Sequence, residues 1–337
     1  MCDVTRRGFL AGGAAALGLA ALEEEALARA RRGQPEVGRV EEVTAGVYFH
    51  EGDLKAKGHC NNGWIVFEDY VLVIDANFPS GALEVIPKIR ALTDRPIRFA
   101  FDTHHHGDHA YGNQVWVEHG AVPVAHTGVV EEMRRYEPGR WNEAAAGRED
   151  VRASRLKMPT LLFPKELYFD DGKRRVELVH LGVAHTHGDG WAWMPKEGIL
   201  FSGDACVNGP YNFVGDGDVG KWIATLAEVK KLGAKIVCPG HGPRDAASLL
   251  DDQRAYFVAL RDQVGALTRG NPPAEEVKRK IPEVKAALAA SRQHGRFVGD
   301  FFTAQVEKVY AELTGRKLGL ALRHDHARHH ARQHGLA

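Results

Sequence analysis

The sequence predicts an α/β protein of stacked sheets and helices, followed by a purely helical section. Short runs rich in Val, Ile, Phe and Tyr, bounded by turn residues, alternate with stretches whose apolar residues recur at helical spacing. From Asp251 onward the strand-like runs stop. The 337 residues are 44% hydrophobic and 26% charged, which suits one large globular domain or one domain with an appendage.

The N-terminal segment reads as an address. Arg6 and Arg7 stand directly before a short Gly/Ala/Leu run, and small-residue sites follow at Ala26-Leu27-Ala28 and Ala28-Arg29-Ala30. The run is too short and too Gly-rich for stable membrane insertion, which takes roughly 20 apolar residues. It resembles a twin-arginine export signal covering residues 1–30, which implies the twin-arginine export machinery as a partner and a periplasmic or secreted location. An ordinary N-terminal helix is the bland alternative. Without that segment the chain keeps 41 basic and 40 acidic groups, and Cys60, Cys206 and Cys238. The near-neutral charge argues against nucleic acid as a partner. Three cysteines make a poor disulfide framework.

The elements follow in order. "GVYFHEG" (Gly46–Gly52) is a strand, and "GWIVFEDYVLVIDA" (Gly63–Ala76) a hairpin turning at its "EDY". Leu83, Ile86, Ile89 and Leu92 then lie at helical spacing before the strand Ile97–Thr103. "AVPVAHT" is a strand, and the charged stretch after it a helix interrupted at Pro138-Gly139. The pattern repeats with strands "RVELVHL", "WAWMP" and "GILFSGD", the helix "GKWIATLAEVKKLG" and the strand "KIVCPGH". Three amphipathic helices and a tail holding five of the 18 histidines close the chain. The expected division is 31–250 for the α/β domain, 251–320 for the helical extension and 321–337 for the His-rich tail.

The ligand-type side chains gather at strand ends. His104 and His106, two apart at the end of an extended segment, leave it on the same side. His105 between them should face away. Gly107 turns the chain, and Asp108 and His109 follow at once. "LVHLGVAHTHGD" ends its apolar run near His185, "ILFSGDA" in Asp204 and "KIVCPGHG" in His241. Histidine nitrogen and carboxylate oxygen are the usual ligands of catalytic zinc, and seven such residues at four strand ends approach what a two-metal hydrolytic centre requires.

"THHHGDH", "AHTHGD", "FSGD" and "PGHG" resemble, in order and spacing, the signature of the metallo-β-lactamase superfamily, over roughly Val40 to Asp245. The resemblance implies an αββα sandwich with two Zn(2+) ions per chain at one edge. His104, His106 and His185 would bind the first and Asp108, His109 and His241 the second, with Asp204 bridging them. It implies a hydrolase that cleaves an ester, lactone or amide (β-lactam-like) bond of a small-molecule substrate with a metal-bridging hydroxide. Asp108 would orient the water or relay its proton as the catalytic acid–base group. Cys206 reads as a packed thiol rather than a ligand.

Substrate choice is not fixed by a fold. The family's nucleases carry an inserted domain after the bridging aspartate, whereas only 37 positions separate Asp204 from His241 here. A mononuclear-iron sulfur dioxygenase and a non-catalytic metal-binding protein are the alternatives. Val129–Met158, Asn208, Tyr211, Asn212 and His187 are candidate walls of the site. The C-terminal helices are expected to pack on the chain's own domain, with a homodimer contact as the alternative. In the tail, His326, His329 and His330 are close enough in sequence to share one ion, though a solvated end is the plainer reading.

Overall fold

The computed structural model describes residues 37–320, so the export segment and the His-rich tail lie outside the described residues. Seven strands form one sheet in sequence order. They are β1 (Val40–Thr44), β2 (Val47–His50), β3 (Asn62–Val66), β4 (Val71–Ile74), β5 (Ile97–Asp102), β6 (Val122–His126) and β7 (Leu161–Phe163). The second sheet has six strands, β8 (Glu166–Asp170), β9 (Arg175–Val179), β10 (Trp191–Met194), β11 (Ile199–Gly203), β12 (Ile236–Pro239) and β13 (Asp245–Ala246), again in sequence order. β4 to β7 run parallel, as do β11 and β12; the other pairs are antiparallel.

The helices are α1 (Leu54–Lys57), α2 (Pro79–Leu92), α3 (Gly107–Ala110), α4 (Asn113–Glu118), α5 (Thr127–Gly147), α6 (Glu149–Arg152), α7 (Val219–Lys230), α8 (Ser248–Thr268), α9 (Ala274–Ala290) and α10 (Phe302–Thr314). None among the described residues is long and apolar enough to cross a membrane.

Alternation along the strands builds the layers. Leu72 and Ile74 of β4 face Ala192 and Met194 of β10 and Ile199 and Phe201 of β11, in the core between the sheets. Val71 and Val73 point the other way, onto Val85, Ile86 and Ile89 of α2 and Trp116 of α4. On the far side, Trp191, Trp193 and Leu200 pack against Trp222 of α7, Phe257 and Leu260 of α8 and Val306 of α10. The order helix, sheet, sheet, helix is the expected αββα sandwich, and the C-terminal helices close one outer face of it.

Some local expectations need correction. The helix Pro79–Leu92 buries Ala82, Val85, Ile86 and Ile89, while Leu83 and Leu92 are 56% and 48% exposed. The apolar stripe is therefore rotated by about one residue from the one read in the sequence, because small Ala82 rather than Leu83 meets the sheet. α5 is not interrupted at Pro138-Gly139. Both residues are on the exposed side of the helix, where the carbonyl that loses its partner can turn to water. β1, β7, β8 and β13 were not legible as separate strands.

Candidate metal centre

The turn after β5 carries His104 and His106, and α3 carries Asp108 and His109. Asp204 follows β11 and His241 follows β12, whose parallel pairing places the two exits side by side. His185 is not at a strand exit; it lies in the loop between β9 and β10. That loop folds around Asp189, whose carboxylate accepts from the Ala184 and Thr186 amides and the Thr186 hydroxyl. All seven residues are buried and converge on one edge of the sandwich.

Two donor groups are formed. His104 Nε2 and His185 Nε2 lie 3.1 and 2.9 Å from His106 Nδ1. His241 Nε2 is 3.0 Å from Asp108 Oδ2 and 3.4 Å from His109 Nε2. Asp204 lies between the groups, with Oδ2 3.7 Å from His185 Nε2 and 3.3 Å from His241 Nε2. Its Oδ1 is 3.4 Å from His109 Nε2. Each of the sets His104/His106/His185, Asp108/His109/His241 and His104/His109/Asp204 keeps its ligand atoms within 4.8 Å of one another.

Partners behind the rings decide where the protons sit. Asp216 Oδ2 accepts from His106 Nε2–H at 2.8 Å, the Phe213 carbonyl accepts from His185 Nδ1–H at 2.9 Å, and Asp75 Oδ2 accepts from His109 Nδ1–H at 2.9 Å. The Thr103 hydroxyl donates to Asp75 Oδ1 at 2.8 Å, so it can only accept from His104 Nδ1–H, 3.1 Å away. None of these acceptors has a proton to give, so in the neutral ring each inward nitrogen is left as a bare lone pair. Lone pairs about 3 Å apart repel unless a cation lies between them. The N···N separation for a tetrahedral zinc with ~2.0–2.1 Å bonds is about 3.3 Å. Asp108 Oδ2 and Asp204 Oδ1 are buried without a directed hydrogen bond. The donor set fits a metal pair.

Electrostatics agree. Burial pushes the Asp108 and Asp204 carboxyls up, but His109 and His241 outweigh it and hold both well below the usual carboxylate range. Burial and the facing imidazoles hold His104 well below the usual histidine value, and burial lowers His185. Burial opposes charge on His109 and His241 as well, but Asp108 and Asp204 outweigh it and raise both, so the centre is built to stay ionised at the carboxylates and neutral at His104 and His185.

Close backbone approach is needed at Gly240. A Cβ there would meet Asp204 Oδ1 at 2.2 Å and His109 Cε1 at 2.8 Å. Asp75 takes a left-handed backbone at φ 64° to serve His109 and Thr103 at once.

Sequence reasoning missed a supporting ring. His105 does face away from the two groups, yet it is fully buried, with Nδ1 3.1 Å from Glu132 and Nε2 3.5 Å from Asp216 and 3.7 Å from Glu137. Burial opposes its charge, but these acids raise it to about 9. Arg140 donates to both oxygens of Asp216 at 2.7 and 2.9 Å, and the Tyr111 hydroxyl donates to Glu137. The stretch Val129–Met158 therefore supports the metal loop through Glu132, Glu137 and Arg140 of α5. Acids and an arginine at helical spacing read as a solvated face, which hid this role.

Other expectations divide. Cys206 is fully buried in the helix-facing core, and burial pushes its thiol up. Asn208 donates to the Pro243 carbonyl and accepts from Arg296, and Asn212 is completely buried. Asn208 and Tyr211 are both half-buried beside the centre, Asn208 with its amide on the His241 carbonyl and Tyr211 with its ring 5.8 Å from that of His241. His187 is exposed, with its amide tied to Glu132.

Three solved structures are similar to this chain. A metallo-beta-lactamase from Pontibacter korlensis is 18% identical, with TM-score 0.56, and 65% of this chain covers 98% of that one. TMB-1 is 20% identical, with TM-score 0.54, over 66% of this chain and 98% of that one. The DIM-1 metallo-beta-lactamase, solved after exposure to ceftazidime, is 18% identical, with TM-score 0.53, over 67% and 98%. At such identity these matches speak for the fold. The sequence profile of the metallo-beta-lactamase superfamily matches residues 56–241, a span that contains every one of the seven inward-facing residues, and the chain belongs to that superfamily.

Proposed function

We propose that the protein is an exported, zinc-dependent hydrolase of a small-molecule ester, lactone or amide. The observation that carries the reading is the tautomer pattern. Three buried histidines, His104, His106 and His185, have their outward nitrogens engaged by Thr103, Asp216 and Phe213, so in the neutral ring their inward nitrogens face one another without a proton. His104, His106 and His185 would hold one zinc ion and Asp108, His109 and His241 a second, with Asp204 shared between them. Bound there, zinc supplies an activated water and polarises the scissile carbonyl.

The chain's own residues do the rest. Asp108, held on α3, would orient the attacking water and take up its proton. Asp216, Phe213, Asp75 and Thr103 fix the rings. Tyr211, beside His241, lines the approach. No serine or cysteine nucleophile is required: Cys60, Cys206 and Cys238 are all buried, and burial raises each thiol. Arg6 and Arg7 support delivery by the twin-arginine export machinery to the periplasm or beyond.

The test compares zinc-loaded with chelator-stripped protein on a chromogenic cephalosporin, aryl esters and lactones. Zinc-dependent turnover of at least one class is expected. Protein holding two zinc ions per chain and hydrolysing none of them would overturn the hydrolase reading, and iron in place of zinc would overturn the metal assignment.

A further inference from the structure

The loop from Ala205 to Asp218 follows Asp204 directly and contains no helix or strand. It nevertheless supplies the acceptors for two rings of the first histidine group, the Phe213 carbonyl to His185 and the Asp216 carboxylate to His106. An irregular segment can hold such acceptors to a few tenths of an ångström only if its backbone is fixed from elsewhere.

The C-terminal helices fix it. Gln253 of α8 accepts from the Val207 amide at 2.7 Å and donates to the Ala205 carbonyl at 3.2 Å. Gln305 of α10 donates from Nε2 to the Asn212 carbonyl at 2.7 Å, and its Oε1 accepts from the Tyr256 hydroxyl of α8. Both glutamines are 0% exposed. A buried amide is unfavourable unless its hydrogen bonds are made, and both of these bond to the loop. Phe301, which precedes α10, adds an edge-on contact to the Phe213 ring at 5.7 Å between centroids. At the far end, Glu312, held by Arg261 at 2.7 Å, accepts from the Val219 and Gly220 amides. Both helices lie outside the residues that match the superfamily.

We propose that Gln305 is a positioning residue for the metal centre. By fixing the Asn212 carbonyl from α10 it sets the adjacent Phe213 carbonyl, and with it the tautomer and ring orientation of His185. The C-terminal helices are thus part of the metal-binding apparatus as well as a cover for the sheet. This inference rests on the zinc reading above.

The test titrates zinc against a chromogenic chelator for full-length wild type, Gln305→Met and Tyr256→Phe, with the unfolding temperature measured alongside. Gln305→Met keeps the side-chain length and removes the bond to Asn212. Tyr256→Phe removes a hydrogen bond from the same buried pair but leaves the Gln305 amide on the loop. The expected result is a zinc binding constant about tenfold weaker in Gln305→Met and unchanged in Tyr256→Phe, with both variants less heat-stable. Equal affinity in all three proteins would overturn the proposal, since a purely structural glutamine would lower stability alone. If Gln305→Met does not fold, Gln305→Asn, which retracts the amide by one methylene, carries the same expectation and the same refutation. Wild type that binds no zinc would overturn the metal reading and this inference together.

Discussion

His106 Nε2 lies 2.8 Å from Asp216 Oδ2, and the two residues are 110 positions apart in the chain. The aspartate is half-buried among His105, His106 and the bidentate Arg140, which together hold its carboxyl far below the usual range although burial works against them. It is a permanent anion behind a ring whose Nδ1 faces His104 and His185. Asp216→Ala removes that orienting charge. Zinc affinity is expected to fall about 10–100-fold, measured by chelator competition. Arg140→Ala, one step further away, should cost less. An Asp216→Ala protein with wild-type affinity would show the contact to be incidental.

The position of Asp204 between the two donor groups gives a second expectation. Asp204→Ala should weaken both sites and bring the metal content below two per chain. His241→Ala should empty mainly the site it shares with Asp108 and His109. Metal analysis after dialysis reads both, and two ions per chain in Asp204→Ala would refute the bridging assignment.

The seven inward residues were legible because their chemistry is local. Ligand-type side chains just past strand ends stand out against apolar strands, and His185, although it lies in a loop, belongs to the short run "AHTHGD". The fold was legible for the same reason: β4 and β10 show unbroken apolar runs, as doubly buried strands must. What fixes the rings was not legible. Asp216 sits in a loop rich in glycine and asparagine, and its pairing with His106 depends on a long-range approach that no spacing encodes. Glu132, Glu137 and Arg140 look like the wet side of a helix until α5 is seen packed over the metal loop. The stripe of α2 failed for a different reason, since periodicity gives a face to within about one residue and Ala82 competes with Leu83 for the buried side. β7 has three residues and β13 only two, too few for periodicity to register.

Leu260 of α8 is 0% exposed in the cluster that joins the C-terminal helices to Trp191, Trp193 and Leu200. Leu260→Ala should destabilise the protein by about 2–5 kcal/mol through lost burial and the cavity left behind. Ending the chain near Asp245 would uncover the whole face and should give insoluble protein. Urea unfolding of the point variant and a solubility assay of the truncation check this, and a soluble, fully active fragment would show the helices to be dispensable.

The proposed export rests on residues outside the sandwich. Replacing Arg6 and Arg7 together by Lys keeps the charge and removes the paired guanidinium groups. The precursor is then expected to stay in the cytoplasm, as read by fractionation and immunoblotting. Normal periplasmic accumulation of the double variant would refute the twin-arginine reading.

His50, at the end of β2, is 2% exposed, and neither ring nitrogen has a hydrogen-bond partner. Burial, with Lys88, the nearby His59 and Lys57, holds it down at about 4 against the pull of Glu84. His59 is likewise held at about 4, by burial, Arg148 and Lys57 against Glu84 and Asp150. The sign follows from linkage. The unfolded chain takes up these protons near pH ~6.5 and the folded chain only near 4, so stability is complete above about pH 6.5 and declines as pH falls toward 4. At about pH 5 the cost is on the order of 2 kcal/mol for each ring. His50→Phe keeps a flat buried ring and removes the titrating nitrogens. The loss of urea midpoint between about pH 7 and about pH 5 should therefore be smaller in His50→Phe than in wild type, by the equivalent of about 2 kcal/mol. The metal-centre residues contribute equally to the pH dependence of both proteins, so comparing the two isolates His50. An identical pH dependence would mean that His50 is protonated as easily in the folded chain as in the unfolded one.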